Sequence, residues 1–313
     1  MSSPAESINT SAPAKVILFG EHAVVYGQPA LAVPVSSLRV SVTVESSDHV
    51  VFATGEWTRE FPAEVLTSKL TDPLLKMAQA TAEHLNIALP FARYTISSDI
   101  PVASGLGSGA AVSAALGRAI AAAGGKTIAD DELNELVYEI EAIHHGTPSG
   151  IDNTVIVFER PVYFLRGHPP QTFEVGRPVH LLIADTGRSA LTKESVGDVR
   201  KLVEVRPEFA VPRIEQIGRI VNDAREALSS GSIERLGQLM GENQVLLADL
   251  TVSSPELDIL IQAALHAGAI GAKLSGGGRG GNMIAIVTSE TESPVRAALL
   301  SSGAVRVIST VIQ

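Results

Sequence analysis

The chain has 313 residues, 45% hydrophobic and 19% charged, and a formal net charge of −10. This is the profile of a soluble globular protein of one or two domains, without the basic face that nucleic acid or an anionic membrane surface demands. With no cysteine, disulfides, thiolate metal sites and a cysteine nucleophile are excluded. No apolar run approaches the roughly 20 residues of a membrane span. Met1 to Ser11 is polar, lacks the basic and apolar regions of a signal peptide, and reads as a flexible tail on a cytoplasmic protein.

In the first half, Lys15-Val16-Ile17-Leu18-Phe19 reads as a buried strand entering a loop at Gly20 to Gly27, and Leu38 to Glu45 alternates through Val40, Val42 and Val44. A helix is expected over Asp72 to Leu85 and a strand over Tyr94-Thr95-Ile96-Ser97. Helices follow over Ser108 to Ala123 and Ala129 to His145, then strands over Val155 to Phe158 and Val162 to Leu165, flanking a turn at Arg160-Pro161. The balance shifts toward helices near Gly176 to Pro178, which suggests two domains, 1–177 and 178–313. In the second, Val179 to Ala184 reads as a strand and four helical segments span Thr192 to about Ala267. Their period is clearest in Ile214, Ile217, Val221, Ala224 and Leu228, and in Leu257, Leu260, Ile261, Ala264 and Leu265. Ser254-Pro255-Glu256 opens the last with a cap and a proline at the first helical position. Strands at Ala272 to Leu274 and Met283 to Val287, a helix after Pro294 and a strand over Val305 to Val311 complete a β, helices, β, β, α, β order, that of a ferredoxin-like sandwich.

Three segments carry chemistry. The run Pro101-Val102-Ala103-Ser104-Gly105-Leu106-Gly107-Ser108-Gly109-Ala110-Ala111 joins a glycine-rich loop to an alanine-rich helix, so free N–H groups of the helix start face an anion that the glycines allow to come close. It is not a Walker A motif, because no Gly-Lys-Ser/Thr follows. A dinucleotide fingerprint would need a second strand ending in an acid about 20 residues on, where this chain has Asp130 and Asp131 at a helix start. In the second segment, Glu141 lies at the border of the buried face set by Leu133, Val137 and Ile140, where a carboxylate either finds a partner or binds a metal. Asp152 follows the Pro148-Ser149-Gly150 turn and is either a turn residue or a base aimed into a cleft. Adjacent His144 and His145 point about 100° apart on a helix, which favours structural or supporting roles. The third, Lys273-Leu274-Ser275-Gly276-Gly277-Gly278-Arg279-Gly280-Gly281-Asn282, has five glycines in six residues between two strands, which favours close approach of a ligand or another backbone over a merely flexible turn.

Together these segments resemble the GHMP kinase superfamily, whose motifs are a lysine-bearing N-terminal strand, a Pro-x3-Gly-Leu-Gly-Ser loop and a late glycine-rich loop, in that order. Within it, Ala12-Pro13-Ala14-Lys15 through Gly20-Glu21-His22 to Tyr26-Gly27 is similar to the mevalonate kinases. Galactokinases carry Gly-Glu-His followed by Thr-Asp, and homoserine kinases lack the Glu-His pair. Pro148-Ser149-Gly150-Ile151-Asp152-Asn153, Asp185-Thr186-Gly187 with Thr192, and Val252-Ser253-Ser254-Pro255-Glu256-Leu257 agree with the same pattern.

The resemblance implies an α+β, two-domain GHMP kinase fold: an N-terminal mixed α/β domain with the ATP loop and a C-terminal ferredoxin-like sandwich with extra helices. It implies transfer of the ATP γ-phosphoryl group to the C5 hydroxyl of mevalonate, with ATP wrapped by residues 101–111. Asp152 would accept the hydroxyl proton and Lys15 would neutralise charge on Asp152 and the phosphoryl group, positioning and electrostatics being most of what phosphoryl transfer needs. Glu141 and the Ser108 hydroxyl would hold Mg²⁺, Lys15, Glu21, His22, Asp152 and Thr192 would line the mevalonate site, and Gly276, Gly277 and Gly278 would form the late loop. A homodimer is left open. Two departures stand out: many members have two serines where this chain has Ser108-Gly109, and Arg279 replaces a glycine of the third motif, adding charge near the phosphates or facing solvent. Alternatives within the superfamily are phosphomevalonate kinases, mevalonate 3-kinases and diphosphomevalonate decarboxylases; outside enzymes, a non-catalytic nucleotide-binding protein, against which the joint presence of Lys15, Glu141 and Asp152 argues.

Overall fold

In a computed structural model, residues 8–63, 72–101, 104–145, 149–188 and 192–313 are described. Their contacts divide the chain into two compact units that interleave along the sequence: one holds 1–14, 38–101 and 107–159, the other 15–37, 102–106 and 160–313. The interleaving arises because two long strands, β1 (Ile8–Phe19) and β2 (Ala30–Ser46), each run through both units. Ile8 to Ser11, expected within a flexible tail, belong to β1. No helix among the described residues is long and apolar enough to cross a membrane.

In the first unit, the C-terminal half of β2 pairs antiparallel with β5 (Ala92–Ser98). Parallel to β5 lies β3 (Val50–Ala53), which pairs antiparallel with β4 (Thr58–Phe61). Phe52 links β3 to the strands on either side through tilted ring contacts with Phe61 of β4 at 5.8 Å and Tyr94 of β5 at 5.7 Å. Helix α1 (Pro73–His84) starts where the sequence places it, with the Asp72 carboxylate accepting from the N–H groups of Leu74 and Leu75. It packs on α2 (Ser108–Ala123), whose buried face is rich in alanine, and those small residues let α1, α3 (Asp130–His145) and α4 (Ile151–Phe158) come close. A Cβ at Gly117 of α2 would lie 2.6 Å from Met77 Cε.

Helix α4 corrects the strand expected over Val155 to Phe158. A short run of β-branched residues fits a buried strand or a buried helix equally well, and local signals decide for the helix here. The Ser149 hydroxyl accepts from Ile151 N–H, the Thr154 hydroxyl donates to the Gly150 carbonyl, and Val155, Ile156 and Val157 are buried with α2 and α3 packed against the helix.

In the second unit the N-terminal half of β2 pairs with β6 (Val162–Phe164), and β6 with β7 (Gln171–Thr172). A separate antiparallel sheet has the order β11-β8-β10-β9, formed by β8 (Val179–Asp185), β9 (Gly271–Ser275), β10 (Asn282–Val287) and β11 (Arg306–Ile312). Between β8 and β9 run α5 (Thr192–Val205), α6 (Pro207–Ser230), α7 (Ile233–Asp249) and α8 (Pro255–His266); α9 (Glu292–Ser301) joins β10 to β11. This is the expected ferredoxin-like order with added helices. The Ser254 hydroxyl accepts from Leu257 N–H as the capping signal requires. Ile214, Ile217, Val221, Ala224 and Leu228 are all buried, whereas Leu265, read as a core position of α8, is exposed.

Helix α7 meets β9 backbone to backbone. A Cβ on Gly271 would lie 2.5 Å from both the Cα and the carbonyl oxygen of Gly237, and neither atom can move without shifting the helix. Gly271→Ala is therefore expected to cost about 1–3 kcal/mol or more through overpacking. Urea unfolding checks this; a loss below about 0.5 kcal/mol would contradict the close approach.

Candidate active site

The phosphate-type loop is built as its sequence suggests. After β5 the chain reaches Pro101; Val102 and Ala103 lie outside the described residues, and Ser104, Gly105 and Leu106 lead to Gly107. Gly107, in the left-handed region at φ 78, is the N-cap of α2 and supplies no side-chain acceptor; the first turn contains no acidic residue. The start of α2 therefore has no cap from its own sequence neighbours, and its initial N–H groups carry the positive end of the helix dipole. Leu106 is buried and its carbonyl accepts from Lys15 N–H at 3.0 Å, which fixes the loop to β1. Ser104, Gly105, Val16, Gly277 and Asn282 are among the residues lining a cavity of about 220 Å³.

The turn after β1 holds a carboxylate with no exposure to solvent. Gly20 starts it with φ 96, where a Cβ would sit 2.5 Å from Ala30 Cα, so only glycine serves. Glu21 and Lys273 both have fully buried side chains and form an ion pair, Lys273 Nζ donating to Glu21 Oε1 and also to the Leu274 carbonyl. The other Glu21 oxygen accepts from Asn243 Nδ2 of α7 at 3.3 Å. Burial pulls the Lys273 ammonium below its ordinary pKa, and the Glu21 charge opposes that shift. The next residue, His22, sits at φ 62, buried, with Nε2–H donating to the Gly277 carbonyl at 3.0 Å. That bond leaves Nδ1 of the neutral ring as the acceptor, and Nδ1 has no partner among the described residues. Burial first, and then the nearby Arg279 and Lys273 cations, lower the His22 pKa, with the Gly277 bond opposing, so the ring is neutral near pH 7.

The third glycine loop is crowded. A Cβ on Gly278, at φ 71, would lie 2.0 Å from the Val252 carbonyl oxygen, so this glycine is required by another backbone. Gly276, in contrast, has nothing within 4 Å of such a Cβ and lines the cavity. Thr186 N–H and Oγ1–H both donate to the Gly281 carbonyl at 2.9 Å. Arg279 neither faces solvent alone nor points at a phosphate loop: Nη1 donates to Asp198 of α5 at 2.6 Å, Nε to the Thr251 carbonyl at 3.1 Å and Nη2 to the Thr251 hydroxyl at 3.3 Å. The hydrogen bond from Arg279 first, and then one from Lys201, hold the Asp198 carboxyl below its usual range.

In the other unit, Asp152 occupies the first turn of α4, half-buried, behind the left-handed cap Gly150. The helix start is held by Asn153 Nδ2, which donates to Asn134 Oδ1 of α3 at 2.7 Å. Glu141, near the end of α3, is half-buried, and a Cβ built on Gly109 of α2 would lie 3.0 Å from its Oε1. The position that faces this carboxylate is thus Gly109, beside Ser108. No group of three or more His, Asp or Glu able to hold a metal exists among the described residues; one carboxylate and one hydroxyl at a helix start nevertheless suit Mg²⁺, which keeps waters and takes its remaining ligands from substrate phosphates. The turn residue Pro148, the side chains of His144 and His145 and that of Thr192, the first residue of α5, lie outside the described residues.

Lys273, Asn243 and Asn282 contribute to this arrangement, and sequence reasoning gave none of them an individual role. The signal for Lys273 was present: a lysine between Ala272 and Leu274 in an otherwise apolar strand needs a buried counter-charge. Asn243 carries no comparable mark on an amphipathic helix.

Family models of known proteins match both halves: the GHMP kinases N terminal domain over residues 73–160 and the GHMP kinases C terminal domain over 224–305. Among curated proteins, the mevalonate kinase of Pyrococcus furiosus is 33% identical over 94% of this chain and 93% of its own length. Among solved structures, the Methanococcus jannaschii mevalonate kinase superposes with a TM-score of 0.87 at 26% identity, covering 99% of this chain and 100% of that one. The L. major mevalonate kinase in complex with R-mevalonate gives 0.84 at 28% identity, with 100% and 99% covered.

Removing one member of a buried pair leaves an uncompensated charge. Lys273→Met is expected to cost about 3–5 kcal/mol of stability, and the double variant Glu21→Gln/Lys273→Met to cost less than Lys273→Met alone, as read by urea unfolding. A double variant less stable than the single one would contradict the pairing.

Proposed function

We propose that this chain, which belongs to the mevalonate kinase family of the GHMP kinases, phosphorylates the C5 hydroxyl of (R)-mevalonate with ATP, giving 5-phosphomevalonate and ADP. The observation that carries this reading is similarity over nearly the whole chain to mevalonate kinases, one of them in complex with R-mevalonate. The division into domains 1–177 and 178–313 is supported by the two family matches, each of which falls within one of them.

The residues supply a consistent chemistry. Residues 101–111 hold the triphosphate, for which the capless start of α2 offers backbone donors. Glu141 and the Ser108 hydroxyl would hold Mg²⁺, which would supply positive charge to offset that of the phosphates. Asp152 takes the proton of the C5 hydroxyl as its oxygen bonds to the γ-phosphorus and the bond to the β,γ-bridging oxygen breaks, releasing ADP. Lys15 stabilises the negative charge on the transferring group. Glu21, His22 and Thr192 bind mevalonate. Glu21 acts from a site where Lys273 and Asn243 fix its carboxylate, and His22 presents an imidazole whose Nδ1 is an acceptor.

Coupled measurement of ADP release with mevalonate, phosphomevalonate, homoserine and galactose tests the reading, with product analysis to fix the position of the phosphate. Turnover is expected with mevalonate; turnover only with another alcohol would sink the proposal. Asp152→Asn is expected to lower kcat by about 10²-fold or more while nucleotide binding is retained. Unchanged turnover would remove Asp152 from the mechanism.

A further inference from the structure

The third glycine loop makes two side-chain ties that no motif of the family resemblance assigns. At its end, Asn282 is 6% exposed and its Nδ2 donates to the Ser104 carbonyl at 2.7 Å. At its middle, Arg279 reaches α5 through Asp198 at 2.6 Å, and its remaining donors engage Thr251. The loop between them is held rigidly by backbone bonds: Arg279 N–H to the Val252 carbonyl at 2.8 Å, Gly281 N–H to the Arg188 carbonyl at 2.8 Å, and Thr186 N–H to the Gly281 carbonyl at 2.9 Å.

We infer that this loop is a bracket with two separate positioning residues: Asn282 sets the nucleotide loop and Arg279 sets the helix that begins at Thr192. The inference rests on the proposed reading that Ser104 to Leu106 serve ATP and Thr192 serves mevalonate.

The argument for Asn282 is one of hydrogen-bond accounting. In a glycine-rich loop the peptide planes at Ser104-Gly105 have few steric restraints, so a buried donor on the Ser104 carbonyl selects one orientation of that plane. The Leu106 carbonyl is fixed in turn by Lys15 N–H. Between these two pins the loop is presented in one conformation, and the ordering cost is met before nucleotide arrives. Asn282 itself also lines the cavity, so its amide lies beside the space that the loop encloses.

For Arg279 the backbone supplies independent support. Its φ of 57 is a left-handed conformation that strains a non-glycine residue, and the side chain makes three hydrogen bonds that offset the strain. A glycine there would relax the backbone but release α5 from the loop. Because α5 is a continuous helix from Thr192 to Val205, holding Asp198 also holds the helix start.

The two ties make a double dissociation testable. KM for ATP, KM for mevalonate and the calorimetric Kd of MgADP are measured for the full-length protein and for Asn282→Ala and Arg279→Gly, with thermal unfolding to confirm folded protein. Asn282→Ala is expected to raise KM for ATP and Kd for MgADP about three- to tenfold, the effect of one buried neutral hydrogen bond, with KM for mevalonate within about twofold. Arg279→Gly is expected to raise KM for mevalonate about threefold or more, with MgADP affinity within about twofold. Asn282→Ser and Arg279→Ala, neither of which can make the observed side-chain bonds, carry the same expectations if a first variant does not fold. Constants that move together in both variants, or that do not move in either, would overturn the bracket. If the unsubstituted protein phosphorylates a different alcohol, the proposed function fails while the Asn282 arm is still read by MgADP. If it binds no MgADP, the bracket is overturned as well.

Discussion

Two opposite charges without any exposure to water, Lys273 on β9 and Glu21 in the turn after β1, are joined as an ion pair inside the second unit. Each carries a desolvation cost of several kcal/mol that only the other, with its hydrogen-bonding neighbours, offsets. Asn243 completes Glu21 and the Leu274 carbonyl completes Lys273, so the pair joins β9, α7 and the β1 turn at a single point. Once Glu21 is fixed there, the following residue has little choice. His22 takes a left-handed backbone conformation and reaches the Gly277 carbonyl, which selects its tautomer. Burial and two cations then keep the ring neutral. A side chain that often titrates near physiological pH is converted into a fixed acceptor.

Similar glycine content serves different physical ends along the chain. Gly20 and Gly278 occupy left-handed backbone where a neighbouring backbone leaves no room for a Cβ. Gly109 puts a bare Cα beside the Glu141 carboxylate, so the end of α3 presents that side chain to the start of α2 with no Cβ in its way. The third loop, which composition would class as the most flexible part of the molecule, is pinned from Thr186, Arg188, Asp198, Thr251 and Val252. Glycine there permits contact; the surrounding hydrogen bonds remove the freedom that glycine brings.

Much of the fold was readable because its signals are local. Asp72 and Ser254 cap helices with their own side chains, the 3.6-residue period of α6 lies on its buried face, and the order of β8 to β11 follows from where apolar runs fall between turns. The error at Val155 to Phe158 has an equally local origin: four apolar residues contain no usable period, and the deciding contacts come from α2 and α3. The interleaving of the units was not readable either, since nothing in β1 or β2 marks the residue at which a strand passes from one compact unit to the other.

For the site, the amino-acid order by itself determined which residue types are present at which spacing: the three glycine segments, the Gly20-Glu21-His22 turn, and Lys15, Glu141 and Asp152. Those features depend on chain neighbours and are legible without coordinates. Only the tertiary structure decided that Glu21 spends its charge on Lys273, 252 residues away, that Arg279 ties α5 to the third loop, and that Asn282 holds the Ser104 carbonyl, 178 residues distant. The reason is physical. A buried charge or amide must be satisfied by whatever polar group folding brings within about 3 Å, and that partner is chosen by the packing of whole elements, which leaves no mark in the residues on either side.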